Sequence, residues 1–395
     1  MPASASFPRL LFFTPSLART GSEVALHNVI RSLPPERIAG VVTLRPGELA
    51  ARLPAAVPRC ALEDYQTVFP GGRWSAANRA CASLRRTEER FFAHVRRRMP
   101  ADVWVVNTIV WPQVLDYAAR HGIPTIVHVC ELEPMLVGLT PHQIEALVRG
   151  PRLTIAISSA VAAMLRTLGR NEGVAVCPPA LDTEAIVTRR PAAEMRRRLG
   201  IAPGAFVWAM SGTIDPNKNA SLFADLAARV TAGRPEAHFL WIKGGRFTNA
   251  YETYCRAKTR ALGLEGRVTW TETVDTDYHD HLAVCDGFVL PSTRESFSLV
   301  SAEALWLGRP VVAFDCGGVV DVVPPGGGLI VRPYDADALV AAMRRVMDGG
   351  FVFDAVQARE AVARFDRRVV ARRWEEMIAA AFAAPHAAAP PPPSP

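Results

Sequence analysis

Short apolar runs alternate with longer stretches of helical periodicity along the first half of the chain. The apolar runs, rich in Val, Ile, Leu and Phe, predict buried strands at 9–14, 41–44, 103–107, 125–129, 153–157 and 174–177. Between them, helical periodicity predicts helices near 22–33, 76–98, 112–120, 141–149 and 159–168. This alternation is typical of a parallel sheet flanked by helices.

The same alternation begins again after Pro178-Pro179 and an arginine-rich stretch, 189–198, that we interpret as a connector. Strands are predicted at 206–211, 238–242, 267–270, 287–290, 311–314 and 329–331, and helices near 219–231, 251–262, 278–284, 298–307 and 335–347. We therefore predict an α/β protein with two Rossmann-like, doubly wound domains. Such sheets bind ligands at the carboxyl ends of their strands.

The length of 395 residues exceeds one ordinary core of about 100 to 200 residues. We expect an N-terminal domain over 1–185 and a second domain over 186–360. A C-terminal helix over 361–384 is expected to pack back toward the N-terminal domain. The Pro-rich tail, 385–395, has too little apolar bulk to fold and is expected to be disordered.

Positive charge is concentrated in the first half of the chain. Residues 1–180 carry 20 Lys and Arg against 13 Asp and Glu, which accounts for the whole net charge of +7. On the helix predicted at 76–98, one narrow stripe holds Arg79, Arg86, Arg90 and Arg97, and the other side holds Leu84, Phe91, Phe92, Val95 and Met99. This pattern indicates either contact with an anionic membrane or a solvated arginine face; we expect no nucleic-acid partner.

Several classes of protein are disfavoured by what the sequence lacks. The seven cysteines are scattered and form no C-x-x-C pair, which argues against a disulfide framework and a zinc site. Neither a secretory signal nor an apolar stretch of about 18 residues is visible, so we expect a cytoplasmic protein, with peripheral contact at the inner membrane face as an alternative. The dinucleotide, P-loop and hydrolase glycine motifs are also missing.

The segment 287–328 combines features suited to a phosphate and a sugar. An apolar strand ends at Leu290, and a helix is predicted to begin near Ser298, whose hydroxyl is available as its N-cap. A helix start offers unpaired N–H groups to an anion, so a diphosphate would suit the amides of Phe297, Ser298 and Leu299. Glu295 and Glu303 flank this start, and their carboxylates can accept hydrogen bonds from sugar hydroxyls.

The order of these parts, followed by Gly308-Arg309-Pro310 and Gly317-Gly318, resembles the retaining glycosyltransferases of family 4. The resemblance implies the GT-B fold, in which two Rossmann-like domains face each other across a cleft. Upstream, Gly212 and Lys218 match the family's glycine and its lysine six residues later. Thr213 stands where many members carry an arginine, so one counter-charge for phosphate is missing.

The resemblance also implies roles for these positions at the donor site. Lys218 would contact the leaving diphosphate, Glu303 would hold the ribose hydroxyls, and Glu295 would lie near the transferred sugar. The loop Glu272 to Val274 would contact the base through backbone groups. The implied catalytic residues are Lys218 and Glu295, and the implied donor-binding residues are Gly212, Thr213, Lys218, Glu295, Phe297, Ser298, Leu299 and Glu303.

Acceptor-side candidates lie in the first half. Gly21, in the loop between the first strand and helix, resembles the family's glycine-containing loop, although a plain turn is the alternative. The stretch IVHVCELE at 126–133 resembles a pattern that usually ends in His-Glu-Leu. Here Cys130 replaces that histidine, while Glu131 is kept. His128 could substitute or be a core residue, and Asn107 ends a neighbouring strand.

The sequence thus predicts a glycosyltransferase that moves a sugar from a nucleotide-sugar donor to a saccharide or lipid-linked acceptor. The resemblance implies retention of anomeric configuration without a side-chain nucleophile. We expect no cofactor and no metal, although Asp275-Thr276-Asp277 is a D-x-D of the type that binds metal in another glycosyltransferase fold. The alternatives are a sugar-nucleotide epimerase of the same fold and a non-catalytic sugar-nucleotide-binding protein.

Overall fold

A computed structural model describes residues 7–68, 83–245, 248–274 and 276–383 and divides the chain into two compact units. Unit 1 comprises the chain up to Leu181 together with the part from Phe365 onward, and unit 2 is Asp182–Arg364. These limits fall a few residues from the boundaries expected at 185 and 360. The expected disordered tail, 385–395, and the beginning of the helix expected at 76–98 lie outside the described residues.

Unit 1 alternates strands with helices over the described residues. Its strands are β1 (Leu10–Thr14), β2 (Ile38–Thr43), β3 (Arg59–Ala61), β4 (Val103–Asn107), β5 (Thr125–Val129), β6 (Leu153–Ala156) and β7 (Val174–Val176). Its helices are α1 (Gly21–Ser32), α2 (Leu62–Val68), α3 (Ser83–Arg98), α4 (Gln113–Arg120), α5 (Pro141–Arg149) and α6 (Ser159–Thr167), and α14 (Arg367–Ala383) from the end of the chain.

The described strands of unit 1 form a parallel sheet in the order β3-β2-β1-β4-β5-β6-β7. Every residue of β1, β2, β4, β5 and β6 is buried, as expected of strands covered by helices on both faces. The strand order reverses direction between β1 and β4. In doubly wound sheets this reversal opens a crevice at the carboxyl ends of the two strands.

The C-terminal helix α14 packs against α1 within unit 1. Trp374 on α14 is fully buried, and its ring centroid lies 5.0 Å from that of His128 on β5. An ion pair joins Arg37 to Glu375, and Arg152 Nε donates to the carbonyl of Ala381 at 2.6 Å. The end of the chain therefore contributes to the core of unit 1.

Unit 2 repeats the alternation. Its described strands are β8 (Phe206–Gly212), β9 (Ala237–Lys243), β10 (Val268–Trp270), β11 (Gly287–Leu290), β12 (Val311–Phe314) and β13 (Gly328–Val331). Its helices are α7 (Ala192–Arg198), α8 (Ala220–Thr231), α9 (Ala250–Ala261), α10 (Tyr278–Leu282), α11 (Leu299–Trp306), α12 (Ala336–Met347) and α13 (Ala355–Ala363).

The strands of unit 2 that the structure describes are parallel, in the order β10-β9-β8-β11-β12-β13. The direction of strand addition changes between β8 and β11, so the crevice of this sheet lies where those two strands end. The segments that follow them carry Lys218 and Glu295. The topology thus brings together two parts of the predicted donor site that are 77 positions apart.

The sequence predicted most strands and α-helices but missed three short ones, β3, α2 and α7. β3 has only three residues at the edge of its sheet. Helix α7 falls in the arginine-rich segment that we interpreted as a connector; Met195 is buried there, and Arg196 Nη2 donates to the carbonyl of Val284 at 2.7 Å. The C-terminal helix expected over 361–384 is observed as α14, and a separate helix, α13, precedes it. Tertiary packing decides such short elements more than their composition does.

Candidate donor and acceptor sites

Hydrogen bonds hold together the two loops that leave β8 and β11. The N–H of Thr293 donates to the carbonyl of Asn217 at 2.8 Å, and Asn217 Nδ2 donates to the carbonyl of Arg294 at 3.1 Å. Asn219, whose backbone is left-handed at the N-cap of α8, donates through Nδ2 to the carbonyl of Pro291 at 3.2 Å. Residues 213–219 and 291–298 therefore form one preorganised surface at the crevice.

An ion pair between Lys218 and Glu295 lies at the centre of this surface. Lys218 Nζ donates to Glu295 Oε1 at 2.6 Å, and the two side chains are 23% and 7% exposed. Burial disfavours the charged form of Lys218, but the Glu295 carboxylate and nearby Asp215 outweigh it, so the lysine pKa is raised. The Lys218 side chain is therefore held in place by Glu295 and stays positively charged.

Asp215 organises the turn that carries Lys218. Its Oδ1 accepts the backbone N–H of Lys218 at 2.9 Å, and its Oδ2 accepts a hydrogen bond from the Thr213 hydroxyl. Thr213, which stands where the family's arginine is usual, is thus engaged with a carboxylate. The position adds no positive charge to the turn.

Helix α11 begins at Leu299, four residues after Glu295. Ser298 is its N-cap, with left-handed backbone angles of φ 87° and ψ 74°. The prediction that its hydroxyl caps the helix is wrong, because Ser298 Oγ instead shares a hydrogen bond of 2.8 Å with Ser301 Oγ. Within the described residues the N–H groups of Ser298 and Leu299 donate to no acceptor, so they remain available to an anion.

The Gly317-Gly318 turn packs against the backbone of this helix start. The N–H of Glu295 donates to the carbonyl of Cys316 at 2.8 Å, and the N–H of Gly318 donates to the carbonyl of Glu295 at 2.7 Å. A Cβ atom on Gly318 would lie 2.1 Å from the carbonyl oxygen of Ser296. Only glycine permits this close approach, which fixes the position of the Glu295 backbone.

Glu303, in the second turn of α11, is held by helix α10. Tyr278 Oη donates to Glu303 Oε2 at 3.0 Å, and His279 Nε2 lies 3.6 Å from Glu303 Oε1. Burial raises the pKa of the Tyr278 phenol well above its ordinary value, and the Glu303 carboxylate adds to the rise. Tyr278 therefore remains a hydrogen-bond donor at neutral pH.

The loop expected to contact the base already makes internal hydrogen bonds. The N–H of Val274 donates to the carbonyl of Lys243 at 3.1 Å, and the Thr273 hydroxyl donates to the carbonyl of Gly245 at 2.7 Å. Asp275 of the D-x-D lies outside the described residues. No group of three or more potential metal-ligating side chains is found in the described parts of the chain.

In unit 1, Asn107 and His128 lie inside the core instead of at the surface. They are 0% and 1% exposed, and His128 Nδ1 donates to Asn107 Oδ1 at 2.7 Å. Asn107 Nδ2 in turn donates to Thr14 Oγ1 at 3.2 Å. Burial lowers the pKa of His128 to about 3, so the ring is neutral. Buried Cys130 lies beside them, with its Sγ 3.6 Å from His128 Nδ1.

Glu131 and Glu23 lie nearer the crevice of the first sheet. Glu131 Oε2 accepts the N–H groups of Cys130 at 3.0 Å and Ile109 at 3.3 Å. Burial nevertheless raises the pKa of Glu131 to about 7, and the negative charge of Glu23 contributes. Glu23 follows exposed Gly21 on α1 and accepts the Ser22 hydroxyl at 2.8 Å. Near neutral pH, Glu131 can therefore both accept and donate hydrogen bonds.

The described part of the arginine-rich helix has the two faces that the sequence predicts. Phe91, Phe92, Val95 and Met99 are buried, whereas Arg90 and Arg97 are exposed. Arg79 lies outside the described residues, as do the side chains of Leu84 and Arg86. No helix in the part of the chain that the structure describes has the length and apolar character of a membrane span.

The sequence did not single out Asp215, Asn217 or Tyr278. Asp215 carries a local signal, because an aspartate three residues before a lysine can accept its N–H in a turn. Asn217 and Tyr278 act through contacts 76 and 25 positions away. No local sequence pattern indicates such partners.

The segment that carries the candidate donor site matches a known family of proteins. Residues 205–349 match the model of the family described as "Glycosyl transferases group 1", which confirms that this segment resembles glycosyltransferases. A D-inositol 3-phosphate glycosyltransferase of Geodermatophilus obscurus is 31% identical over 53% of this chain and 47% of its own length. A GDP-mannose-dependent monoacylated alpha-(1-6)-phosphatidylinositol monomannoside mannosyltransferase of Corynebacterium glutamicum is 28% identical over 39% of this chain and 41% of its own. The chain thus matches about half the length of these curated relatives or somewhat less.

Solved structures establish the fold over most of the chain. HepE of Anabaena, in complex with UDP-glucose, matches with a TM-score of 0.76 at 20% identity, over 94% of this chain and 100% of that one. Sucrose-phosphate synthase of Thermosynechococcus elongatus matches with a TM-score of 0.74 at 18% identity, over 95% and 99% of the two chains. The fold is therefore GT-B, with two Rossmann-like parallel-sheet domains.

Proposed function

We propose, with the match of residues 205–349 to group 1 glycosyltransferases as premise, that this protein transfers a sugar from a nucleotide-sugar donor to an acceptor with retention of configuration. The observation that carries the proposal is the ion pair of Lys218 and Glu295, held between the ends of β8 and β11. It lies beside the start of α11, where N–H groups are available to an anion.

Departure of a nucleoside diphosphate is the difficult step in sugar transfer. Negative charge grows on the leaving diphosphate, and catalysis requires preorganised positive charge and N–H donors there. Lys218 and the N–H groups of Ser298 and Leu299 would supply both. In this proposal Lys218 shifts from Glu295 toward the diphosphate as the glycosidic bond breaks, and Glu295 becomes free to accept hydrogen bonds from the sugar.

The chemistry proposed needs no side-chain nucleophile, cofactor or metal. The acceptor hydroxyl attacks the face that the diphosphate leaves, and a donor phosphate oxygen takes the acceptor proton. Such a mechanism asks the protein to orient substrates and stabilise charge, which the ordered loops at β8 and β11 are suited to do.

The acceptor is proposed to bind at the crevice of unit 1, near Gly21 and Glu131. A carboxyl group that is half protonated near pH 7 can bond to a sugar or polyol hydroxyl in either direction. Two of the similar proteins are named for inositol phosphate and phosphatidylinositol mannoside acceptors, which supports a polyol or lipid-linked saccharide here. Asn107 and His128 would act by supporting this site from the core.

The test is to follow release of nucleoside diphosphate with and without acceptor. First, thermal shifts with UDP, GDP, ADP, dTDP and CMP identify the nucleotide, because bound ligand raises stability by RT ln(1 + [L]/Kd). The matching sugar nucleotides are then incubated with inositol phosphate or lipid-linked saccharides. Acceptor-dependent release with an unchanged anomeric configuration in the NMR coupling constant is expected. Conversion of the donor without an acceptor would indicate an epimerase, and binding without turnover a regulatory protein.

Lys218→Ala provides the first prediction about mechanism. Because Lys218 is proposed to stabilise charge that grows in the transition state, kcat at saturating donor should fall by about 100-fold or more. Lys258→Ala is the matched control, since it removes another lysine that is ion-paired in unit 2, to Asp225 at 2.6 Å. A rise in KM with unchanged kcat would make Lys218 a binding group only.

A further inference from the structure

Helix α10 lies beside the proposed ribose position without a role in the proposed function. Two residues of this helix, Tyr278 and His279, have polar atoms within 4 Å of the Glu303 carboxylate. We infer that Tyr278, assisted by His279, is a positioning residue that aims Glu303 at the ribose hydroxyls of the donor. This inference rests on the proposed function. It adds the residues that determine the preference of the donor site for a nucleotide with ribose hydroxyls.

The geometry assigns different tasks to the two carboxylate oxygens. Oε2 accepts the Tyr278 phenol at 3.0 Å, an ordinary hydrogen-bond length. That bond fixes the rotation of the carboxylate and leaves lone pairs of Oε1 for a ligand. A ribose 2′- or 3′-hydroxyl would then donate to Oε1.

His279 lies near the other oxygen of the Glu303 carboxylate. Its Nε2 lies 3.6 Å from Oε1, which is too long for a hydrogen bond, and it has no partner among the described residues. A buried polar atom without a partner is costly, so a small shift of Glu303 that closes this gap is favourable. We infer that ligand binding closes it, and that the imidazole then donates to the carboxylate.

Both residues are held independently of Glu303. They occupy the first two positions of α10, and Asp280 at the next position accepts the backbone N–H of Arg189 at 2.6 Å and of Arg190 at 3.1 Å. Arg190 Nη1 also lies 3.3 Å from Asp280 Oδ2. The segment before α7 therefore anchors α10, and α10 holds Glu303.

The experiment compares nucleotides with and without ribose hydroxyls. The nucleotide identified by the thermal-shift screen, and its 2′,3′-dideoxy form, are titrated by calorimetry into the wild type, Tyr278→Phe and His279→Gln. Hydrogen bonds to a carboxylate predict that the wild type binds the ribonucleotide at least about tenfold more tightly than the dideoxy form. In Tyr278→Phe this ratio should fall to about threefold or less, with little change in affinity for the dideoxy form, and His279→Gln should lower it by a smaller factor.

Two controls separate this role from a structural one. Tyr254→Phe alters a tyrosine of unit 2 that is 54% exposed, and its ratio should stay at the wild-type value. Glu303→Gln should lower the ratio by itself, and adding Tyr278→Phe to it should change nothing further. An unchanged ratio in Tyr278→Phe overturns the inference while the donor site stands. Failure of the wild type to bind any of the five nucleotides of the thermal-shift screen overturns the donor site and this inference together.

Discussion

Buried polar side chains set the chemistry of both candidate sites. In unit 2 the carboxylate of Glu295 is paired with Lys218, so its charge is compensated. In unit 1 Glu131 receives two backbone N–H groups but no described cation, and burial together with Glu23 raises its pKa to about 7. Burial without a compensating cation among the described residues is therefore what raises the pKa of Glu131.

The stability of unit 1 should record the titration of Glu131. Its pKa is about 7 in the folded protein and about 4.5 unfolded, so the folded state binds more protons between these values. The contribution of Glu131 to stability is therefore present below pH 4.5 and is lost as the pH rises to about 7. Relative to Glu131→Gln, the wild type should lose about 3 kcal/mol of unfolding free energy over this range.

Urea denaturation of both proteins from pH 4.5 to 8 measures this difference. Burial also lowers the pKa of histidines such as His27 and His128. Because both proteins contain these histidines, their contributions to the unfolding free energy cancel when one protein is subtracted from the other. If the difference between the two proteins does not depend on pH, the pKa of Glu131 in the folded protein has its ordinary value and the prediction is wrong.

At the scale of elements, the donor site depends on how the start of α11 is fixed. The turn at Gly317-Gly318 bonds to the backbone of Glu295, and the loop after β8 bonds to Thr293 and Arg294. Hydrogen bonds to the backbone from both sides thus hold residues 293–295. The positions of Glu295 and of the N–H groups at the helix start follow from these contacts.

Gly318→Ala should displace the backbone at the start of α11. The added Cβ would lie 2.1 Å from the Ser296 carbonyl oxygen and 2.9 Å from Phe297 Cα, so the backbone must move. We expect a loss of about 1–3 kcal/mol in unfolding free energy, as for other overpacked sites, and weaker nucleoside diphosphate binding. Gly233→Ala is the control, because its Cβ would meet only Arg344 at 3.5 Å. Equal thermal midpoints and affinities in the two variants would contradict the prediction.

Periodicity predicted the long elements because each strand or helix buries a continuous apolar pattern, as β4 and β9 do. The candidate donor-site residues Gly212, Lys218, Glu295 and Glu303 could be singled out because they match the motifs of the family that the sequence resembles. The residues that contact them in the folded protein could not be identified from the sequence. Tyr278 and Asp280 act through contacts that only the folded chain creates, and the burial of His128 depends partly on Trp374, near the end of the chain.

At the scale of the whole molecule, charge is distributed unevenly between the two halves of the sequence. The first 180 residues carry the entire net charge of +7. In α3 Phe91, Phe92 and Val95 are buried, while the four arginines of its described side chains are exposed: Arg90, Arg96, Arg97 and Arg98. An enzyme with a lipid-linked acceptor would gain from such a basic surface, because attraction to anionic lipid adds about 1 kcal/mol per basic residue and raises the local substrate concentration.

We therefore predict that the protein binds vesicles containing anionic lipid at low salt. Binding should weaken as salt rises, because the Debye length falls from about 30 Å at 0.01 M to about 10 Å at 0.1 M. Replacing Arg90 and Arg97 with glutamine should remove about 2 kcal/mol of binding free energy. The control variant replaces Arg260 and Arg332, exposed arginines of unit 2, and loses the same charge elsewhere. Sedimentation with neutral and anionic vesicles measures both variants. If the wild type partitions equally to the two, or the two variants behave alike, the basic face of α3 is a solvated surface and a water-soluble acceptor is the better hypothesis.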